Sequence, residues 1–416
     1  MLVSPLDPLG LASTITRRLL LREAVRSDMS QVRLGIVVTH PIQYQVPLYR
    51  HLAARSRVEP LVFFLSGHGL ADSFDPGFGR AVKYDVPMLE GYEYRMVRNR
   101  SPRPAVSTPW GVVNPALPAQ IRRSHIDVLL VHGYSHFSHW LAYATAVCSG
   151  IPYLLRGESR PDRTAHGAKL MAKHALIKPL IRNASACLAI GEENRKFYIS
   201  YGALPDRILF APYSVDTDRF AAAGAAGHAR RTNMLESLGL CPERPVVLFA
   251  AKLQSWKRPG DVVMAMDQLQ HPANLIMIGD GPLRPYMEKL SSRRPWMRTL
   301  GFVNQTKIAE WYGVADLFVL PSDREPWGLA VNEAMATGAV PLVSDSVGCA
   351  SDLVTPDVGW VYATGDVGAL AEILVAAIQP GVLAERRAAA KRRSAEYGIA
   401  ATVTGIETAV AAVLGR

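Results

Sequence analysis

The chain has 416 residues, a net charge of +10 and a pI near 9.5, with 49% hydrophobic and 20% charged residues. This length is enough for two domains with complete cores, and no apolar run approaches the roughly 18–20 residues that span a membrane. The positive charge favours anionic partners such as a nucleotide diphosphate or an anionic membrane surface. No zinc-finger spacing, basic zipper or ribonucleoprotein motif is present, so we expect no nucleic-acid partner. The 4 cysteines are scattered without a Cys-x-x-Cys pair, which is typical of a reducing cytoplasm.

Residues 1–30 contain several arginines around a short leucine run. The run is too short for the core of a signal peptide. We interpret this segment either as a mobile extension or as the result of an upstream start, with Met29 as the working start. An organelle transit peptide is the further alternative. The first clear strand follows directly, from residue 32.

Residues 31–220 alternate between apolar runs of strand length and longer segments of helical character. The predicted strands cover residues 32–39, 60–65, 128–132, 153–156, 186–190 and 208–211. Between residues 74 and 118 the composition is rich in Pro, Gly and Arg, which favours loops and short strands. This alternation predicts a parallel sheet covered by helices.

A run of small residues at 221–227 is typical of a linker. A second alternating set follows, with predicted strands at 245–251, 274–279, 298–302, 316–320, 340–344 and 360–363. The sequence therefore predicts an α/β protein made of two doubly wound domains. Ligands of such sheets bind at the carboxyl ends of the strands, so the polar residues at those ends are the candidates for function.

The most informative segment covers residues 321–336, directly after one of these strands. It places Glu325 and Glu333 eight positions apart, on either side of a Gly328-Leu329 step at which a helix begins. Backbone N–H groups at a helix start suit a phosphate, and carboxylates accept hydrogen bonds from hydroxyl groups. A ligand with phosphates in the middle and hydroxyls at both ends is a nucleotide sugar.

This segment resembles the donor-site signature of glycosyltransferase family 4, whose members have the GT-B fold. The resemblance implies two Rossmann-like domains with a cleft between them. These are an acceptor-side domain at 31–220 and a nucleotide-sugar-binding domain at 244–398, joined by a linker at 221–243. A C-terminal helix at 399–416 would pack back on the first domain. The resemblance also implies that Glu325 contacts the sugar, that Glu333 contacts the ribose, and that the amides of Gly328 and Leu329 contact the diphosphate.

Further positions match the family's donor site. Lys252 and Lys257 follow a strand where the family carries two basic residues on the diphosphate. Lys252 replaces the usual Arg, which keeps the charge but loses the bidentate fork. Two solvated surface lysines are the structural alternative. The resemblance further places Gly279 beside the donor, in what is otherwise a plain turn, and Phe302 and Val303 near the base, which the backbone would contact.

On the acceptor side, the resemblance implies that His132 faces the reacting sugar, where a neutral imidazole would bind a hydroxyl or stabilise developing positive charge. Packing at a domain interface is the alternative. The His-Pro-Ile-Gln-Tyr loop at 40–44 lacks the Gly-Gly pair of many family members and is similar to that of a bacterial subgroup. Its His40 and Gln43 are acceptor-side candidates. Arg156 and Glu158, at another strand end, either bind the acceptor or form a structural ion pair.

Two further patterns have plain structural interpretations. Asp216 and Asp218 have the spacing of the metal-binding motif of the other major glycosyltransferase fold, but we expect a capping or hinge role for them. Residues 168–182 mix apolar and basic side chains, and Pro179 interrupts the run. We interpret them as a helix with one face on the core, and docking on an anionic membrane is the alternative.

Taken over residues 32–416, the resemblance implies a retaining, metal-independent, hexosyltransferase-like enzyme of polysaccharide biosynthesis. Glu325, His132 and Lys257 would lie at the reaction centre, and the only co-substrate besides the acceptor would be a nucleoside-diphosphate sugar, with no cofactor. We expect a cytoplasmic protein, with peripheral contact to the inner face of the plasma membrane as an open alternative. The acceptor is a glycan, a lipid-linked sugar or a small molecule. A nucleotide-sugar epimerase, a phosphorylase and a non-catalytic binding protein remain alternatives on the same fold.

Overall fold

The computed structural model describes residues 31–415, except residues 56, 71–72, 76, 162–166 and 270–272. The segment 1–30, which we interpret as an extension, lies outside the described residues. In the described part of the chain, the strands form two large parallel sheets and one short antiparallel hairpin.

The first sheet has seven strands. They are β1 (Val32–Val38), β2 (Val58–Phe64), β5 (Glu93–Met96), β6 (Val128–His132), β7 (Tyr153–Arg156), β8 (Ala186–Ala189) and β9 (Ile208–Phe210). Their spatial order is β5-β2-β1-β6-β7-β8-β9, and all neighbours are parallel. The hairpin of β3 (Ser73–Asp75) and β4 (Arg80–Val82) is inserted between β2 and β5. The order changes direction between β1 and β6, and doubly wound sheets bind ligands at such a point.

The second sheet has six strands. They are β10 (Val246–Ala250), β11 (Asn274–Ile278), β12 (Met297–Gly301), β13 (Leu317–Leu320), β14 (Val340–Ser344) and β15 (Trp360–Tyr362). Their order is β12-β11-β10-β13-β14-β15, again all parallel. All twelve strands predicted from the sequence are present, with ends within two residues of the predicted ones. The predicted α/β architecture of two doubly wound sheets is confirmed.

Helices connect the strands. In the first half they are α1 (Val46–Arg55), α2 (Leu117–Arg123), α3 (Phe137–Cys148), α4 (Ala168–Arg182), α5 (Glu192–Ser200), α6 (Thr217–Ala229) and α7 (Arg231–Ser237). In the second half they are α8 (Pro259–Met266), α9 (Arg284–Ser291), α10 (Gln305–Val314), α11 (Leu329–Thr337), α12 (Ala350–Leu353), α13 (Val367–Ala377), α14 (Val382–Glu396) and α15 (Ile399–Leu414).

Each sheet is covered on both faces, because its strands are nearly continuous apolar runs. In the first sheet Leu34 packs in one layer with Tyr49 of α1 and Ile406 of α15. Side chains alternate along the strand, so Val37 points to the opposite layer and packs there with Tyr143 of α3. The C-terminal helix α15 therefore belongs to the core of the first sheet. Rigid sheets of this kind fix the loops at their carboxyl ends.

The small-residue run at 221–227 is helical and not an irregular linker, because α6 spans it. Its glycines allow α6 to approach α10 closely. A Cβ on Gly227 would lie 2.1 Å from the carbonyl oxygen of Glu310, and one on Gly313 would lie 2.0 Å from that of Gly224. Tertiary packing has thus overridden the weak helix propensity of glycine. The domain boundaries themselves remain predictions.

Helix α4 has the predicted bounds and contains Pro179. Ile177 and Ile181 are buried, as expected for a helix with one face on the core, while Met171 and Leu176 are 72% and 58% exposed. Across the described ranges no single helix is long and apolar enough to cross a membrane. The pair α13 and α14 passes that test only jointly, and it is bent by 104° at its break.

Candidate active site

The predicted donor residues gather along one edge of the second sheet. They lie in the loops after β10 (Lys252, Lys257), β11 (Gly279), β12 (Phe302, Val303) and β13 (Glu325, Gly328). These four strands are parallel, so their carboxyl ends meet at the same edge. The structure therefore brings together residues that come from four separate loops.

The start of α11 is built around Gly328, which has a left-handed φ of 103°. A Cβ there would lie 2.9 Å from Cγ1 of Val347, so the turn requires glycine. Just before it, Trp327 is buried and donates from Nε1 to Oδ1 of Asn332 at 2.9 Å, which fixes the first turn. Within the described part of the chain, no side chain caps this helix start. The geometry suits an anion placed against the first-turn amides, which begin at Leu329.

Glu325 forms an ion pair with Lys257 across the sheet edge. The side chains of both residues are 15% exposed. The carbonyl of Glu325 also accepts a hydrogen bond of 3.0 Å from the amide of Gly348, which ties the loop after β13 to the loop after β14. The carboxylate and the ammonium are therefore held beside the start of α11, where both could meet a phosphorylated sugar.

Glu333 lies one turn along α11 and is half-buried. Tyr312 of α10 donates from its hydroxyl to Oε2 of Glu333 at 2.8 Å. Burial raises the pKa of Glu333 to about 7, although the Tyr312 hydrogen bond and the nearby Arg219 oppose this shift. Glu333 consequently exchanges its proton near neutral pH, so its ability to accept hydrogen bonds from hydroxyls depends on pH.

We call the carboxyl edge of the second sheet the donor edge, because it carries the predicted donor residues. The part that follows β10, β11 and β12 contains Lys252, Gly279 and Phe302. Gly279 has a φ of 144°, and a Cβ there would lie 1.9 Å from the carbonyl oxygen of Ala251, so only glycine fits. The Nζ of Lys252 lies 4.6 Å from the ring centroid of Phe78, a residue of the first domain. The ring of Phe302 meets the same Phe78 edge-on, with centroids 5.1 Å apart. Sequence patterns gave no signal for Phe78.

Histidines line the carboxyl edge of the first sheet. His132 ends β6, and its buried Nε2 has no hydrogen-bond partner among the described residues. Burial, with Arg156 and His139 nearby, holds the pKa of His132 well below its usual 6.5. At His40 burial is again the main cause, with His68 and another histidine nearby, and the pKa falls to about 4. Both imidazoles are therefore neutral at physiological pH, so each could form hydrogen bonds with a hydroxyl group but carries no charge.

Glu158, two residues after β7, receives hydrogen bonds from two tyrosines. Tyr44 donates at 3.3 Å and Tyr213 donates to the same oxygen. Arg156 is only 2% exposed and donates to the carbonyl of Pro212 at 2.8 Å, with its guanidinium over the Tyr213 ring. Among the described residues no ion pair joins Arg156 to Glu158, so the suggested structural pair is absent. The Arg156 guanidinium donates its hydrogen bonds to backbone carbonyls of the first domain, whereas Glu158 is exposed.

Two further candidates from the sequence, Gln43 and Asp216, lie at the starts of helices. Gln43 lies in the turn that leads into α1 and is half-buried. Asp216 caps α6, accepting a hydrogen bond of 3.1 Å from the amide of Arg219, which confirms the expected capping role. Over the described residues no group of three or more His, Cys, Asp or Glu side chains is placed to hold a metal ion.

Comparisons with known proteins show what the sequence and the fold of this chain resemble. Residues 230–395 match the family model described as glycosyl transferases group 1. A glycosyltransferase from Rickettsia africae superposes with a TM-score of 0.71 at 14% identity, over 92% of this chain and 99% of that one. HepE from Anabaena, solved with UDP-glucose, gives a TM-score of 0.64 at 15% identity, over 90% and 98%. The chain has the GT-B fold.

Sequence relatives match the GT-B chain over shorter stretches. The D-inositol 3-phosphate glycosyltransferase of Xylanimonas cellulosilytica is 33% identical over 216 residues, which cover 50% of this chain and 52% of the relative. The sulfoquinovosyl transferase of Arabidopsis thaliana is 33% identical over 130 residues, 30% of this chain and 25% of that protein. The chain therefore spans about half the length, or less, of these curated relatives.

Several residues at the GT-B cleft escaped the sequence analysis. Tyr44 stands in the His-Pro-Ile-Gln-Tyr loop, so its place after β1 was a usable signal. Tyr213 and Phe78 carried none, because Tyr213 acts on Glu158, 55 positions away, and Phe78 contacts Phe302 in the other half of the chain. Non-local partners of this kind are set by the packing of the two sheets and leave no local pattern.

Proposed function

We propose that this protein is a glycosyltransferase that moves a sugar from a nucleoside-diphosphate sugar to the hydroxyl of an acceptor. The observation that carries the proposal is the Lys257–Glu325 ion pair beside the uncapped, glycine-started helix α11. An anion-binding helix start, an ammonium and a carboxylate within one loop cluster match a ligand that has both phosphates and hydroxyls.

In this proposal the donor lies along the carboxyl edge of the second sheet. The amides of Gly328 and Leu329, together with Lys252 and Lys257, would hold the diphosphate. Glu325 would accept hydrogen bonds from the sugar, and Glu333 would accept them from the ribose. Phe302 and Val303 would lie near the base, with Gly279 permitting close approach. The binding of UDP and glucose by HepE, which shares this fold, supports a nucleotide-sugar donor.

We further infer a retaining reaction without a metal. The bond between the anomeric carbon and the leaving diphosphate breaks, and the acceptor oxygen bonds to that carbon on the same face. The acceptor proton passes to an oxygen of the leaving diphosphate. Positioning and charge stabilisation by Lys252, Lys257 and the α11 amides would supply most of the rate enhancement. Neutral His132 would accept or donate a hydrogen bond at the reacting sugar.

The acceptor would enter from the first sheet, where His40, Gln43 and His132 line the carboxyl edge. The exposed carboxylate of Glu158, fixed by Tyr44 and Tyr213, offers an acceptor for hydroxyl hydrogen bonds. The surroundings favour a polyhydroxylated acceptor, whether it is a free glycan, a lipid-linked sugar or a small molecule.

The test is a thermal-shift screen of the full chain against UDP, GDP, ADP and their common sugar conjugates, with and without EDTA. We expect one nucleotide series to raise the melting temperature, with no effect of EDTA, because ligands that bind the native state stabilise it. Product analysis would then show transfer with retained anomeric configuration. The absence of a shift with every nucleotide would contradict the proposal, while epimerisation or phosphate-dependent cleavage would point to the alternative enzyme classes.

Peripheral membrane contact is a separate part of the proposal. The exposed side chains of Met171 and Leu176 on α4 lie on the same helix as the exposed Lys178, which suits an anionic surface. Co-sedimentation with phosphatidylglycerol vesicles tests it. We expect binding that a Met171→Ser, Leu176→Ser double variant loses, and equal binding of wild type and variant would contradict it.

A further inference from the structure

A loop of the first domain, residues 98–113, carries Arg98, Arg100 and Arg103 along the carboxyl edge of the first sheet. It follows β5 and leads to α2, and we call it the arginine loop. All three arginine side chains are exposed, and among the described residues none of the three guanidinium groups has an ion-pair or hydrogen-bond partner. No Asp or Glu occurs between residues 94 and 126. The arginine loop therefore presents uncompensated positive charge at the edge where we expect the acceptor to enter.

Trp110 lies on the arginine loop and is 68% exposed. Its ring stacks on Phe137, the first residue of α3, with the ring centroids 5.0 Å apart and the planes inclined by 25°. A single exposed apolar side chain is ordinary on a protein surface. Here, however, the stack holds the indole flat by one face and leaves the other face to solvent, which is the form of a binding platform.

Hydrogen bonds and close packing fix the turn that carries Trp110. Asn99 donates from Nδ2 to the carbonyl of Gly111 at 2.8 Å, and Ser101 donates from Oγ to the carbonyl of Trp110 at 2.7 Å. A Cβ on Gly111 would lie 2.0 Å from the carbonyl oxygen of Ala105, so the turn has room only for glycine. Because the loop is already ordered, a ligand that binds it has little ordering entropy to overcome.

The arginine loop is attached beside the candidate acceptor residues. Ser138, in the first turn of α3, donates from Oγ to the carbonyl of Val112 at 3.0 Å. His136 donates from Nε2 to the carbonyl of Val106 at 3.0 Å. At most about 14 Å of extended chain separates His136 from His132, the last residue of β6. A saccharide of a few rings can therefore contact both the arginine loop and the His132 end of β6.

The two kinds of side chain on this loop suit two parts of one ligand. A flat aromatic face buries the apolar C–H face of a sugar ring. A guanidinium group binds a carboxylate or a phosphate through paired hydrogen bonds. An anionic membrane would suit the same charges, but an indole held flat beside residues that can bind hydroxyl groups favours a sugar ring.

We propose that the arginine loop is an acceptor subsite for an acidic saccharide. Trp110 stacks on one sugar ring, and Arg98, Arg100 and Arg103 bind the carboxylate or phosphate that the saccharide carries. This inference rests on the proposed function, since it names the class of acceptor that enters the same cleft.

The test is calorimetric titration of the full chain with tetragalacturonate and with phosphorylated mannotetraose. These two probes distinguish a carboxylate from a phosphate, and neutral galactotetraose and mannotetraose are their controls. We expect one acidic tetrasaccharide to bind roughly 10-fold more tightly than its neutral counterpart, because charge-assisted hydrogen bonds are added. The corresponding acidic monosaccharide should bind more weakly than the tetrasaccharide, because it contacts fewer of these groups.

Two substitutions at Trp110 separate the aromatic face from the rest of the loop. Trp110→Ala should weaken binding of the preferred tetrasaccharide roughly 10-fold, whereas Trp110→Phe keeps a flat face and should weaken it by less than about 3-fold. Tyr286→Ala is the matched control, since it removes another exposed aromatic side chain, on α9 of the second domain. It should leave saccharide binding unchanged.

A pair of double variants tests the charges. Arg100→Gln with Arg103→Gln should weaken binding of the acidic tetrasaccharide roughly 10-fold and reduce its dependence on salt, without affecting the neutral one. Arg122→Gln with Arg123→Gln removes the same charge from the exposed last turn of α2, away from the loop, and should change the affinity by less than about 2-fold. All variants should bind the accepted nucleotide as wild type does.

The remaining outcomes separate this inference from the proposed function. Equal binding of acidic and neutral tetrasaccharides, or of Trp110→Ala and wild type, would overturn the inference. If Trp110→Ala loses binding to phosphatidylglycerol vesicles but keeps saccharide binding, the loop contacts a membrane and the inference is wrong. If nucleotides bind and no saccharide does, the inference falls while the proposed function stands. If saccharides bind as expected and no nucleotide does, the proposed function falls and the saccharide site stands.

Discussion

The ammonium of Lys257 donates to the carboxylate of Glu325, although 68 positions separate the two residues. Lys257 ends a short 3₁₀ turn after β10, and Glu325 lies in the loop that leads to α11. Their loops are neighbours because β10 and β13 are paired in parallel. The pair places one positive and one negative group beside a helix start, which is where the proposed nucleotide sugar would use both.

Removing either member of this pair should reduce turnover by orders of magnitude, as should Lys252→Ala. In the proposed site, Glu325→Ala would remove the sugar contact, whereas each lysine variant would remove a charge that stabilises the leaving diphosphate. Initial rates with the accepted nucleotide sugar measure the effect. The side chains of Lys257 and Glu325 are only 15% exposed, so removing one leaves the other as a partly buried charge without its partner. Lys257→Ala and Glu325→Ala should therefore each lower the free energy of unfolding by about 1–2 kcal/mol.

The control for this prediction is Lys307→Ala, which breaks the exposed surface pair between Lys307 and Glu310. Its activity should equal that of wild type, and its stability should change by less than about 1 kcal/mol. If the variants at Lys252, Lys257 and Glu325 all retained wild-type rates, the proposed donor site would be wrong.

Binding of the nucleotide sugar should weaken as the pH falls from 8 to 6. Glu333 has a pKa of about 7, so it is mostly ionised at pH 8 and mostly protonated at pH 6. If only the ionised form accepts hydrogen bonds from the ribose, affinity falls by about tenfold over this range. Titration calorimetry should use the intact nucleotide sugar, since terminal phosphates titrate near pH 6 themselves. Glu333→Gln should bind more weakly at pH 8 and show a flat profile, and an unchanged profile would refute the role of Glu333.

The first domain should lose stability as the pH falls below 6.5. Burial lowers the pKa of His40 to about 4 and that of His139 to about 3, so the unfolded chain binds protons that the folded chain does not. Stability from each imidazole is therefore complete above pH 6.5 and declines on acidification, by about 2 kcal/mol per residue at pH 5.

Urea unfolding at pH 7 and pH 5 measures this loss. His139→Asn should reduce the difference between the two pH values by about 2 kcal/mol, whatever its effect at pH 7. Glu333 acts in the opposite sense, because its raised pKa means that its proton stabilises the folded state between pH 4.5 and 7. The comparison is therefore best made in the Glu333→Gln background. A pH dependence that His139→Asn leaves intact would count against a buried neutral imidazole.

Asp216 should matter for stability and not for metal binding. Its side chain accepts the amide hydrogen bond of Arg219 at the start of α6. Asp216→Ala should cost about 1 kcal/mol of unfolding free energy, and Asp216→Asn should cost little, because asparagine is an equally good cap. Denaturant unfolding tests this. Loss of turnover in Asp216→Asn that added divalent metal restores would instead indicate a metal site.

The order of elements and the local form of the donor edge follow from short-range sequence patterns. Alternating apolar runs placed β14 at its observed bounds, and the Gly328-Leu329 step marked the start of α11. These features depend on local rules: strand-length apolar runs, and the left-handed conformation that glycine allows. The same rules misjudged residues 221–227, where small side chains serve close packing of α6 on α10.

Which side chains meet depends on long-range packing, which no local pattern reveals. Lys257 reaches Glu325 and Tyr213 reaches Glu158 because parallel strands bring distant loops to one edge. Phe78 reaches Lys252 because a hairpin of one domain extends to the other. Charge pairing, burial and the resulting pKa shifts depend on distances through space, and these are fixed by the packing of whole sheets and domains rather than by neighbours in sequence.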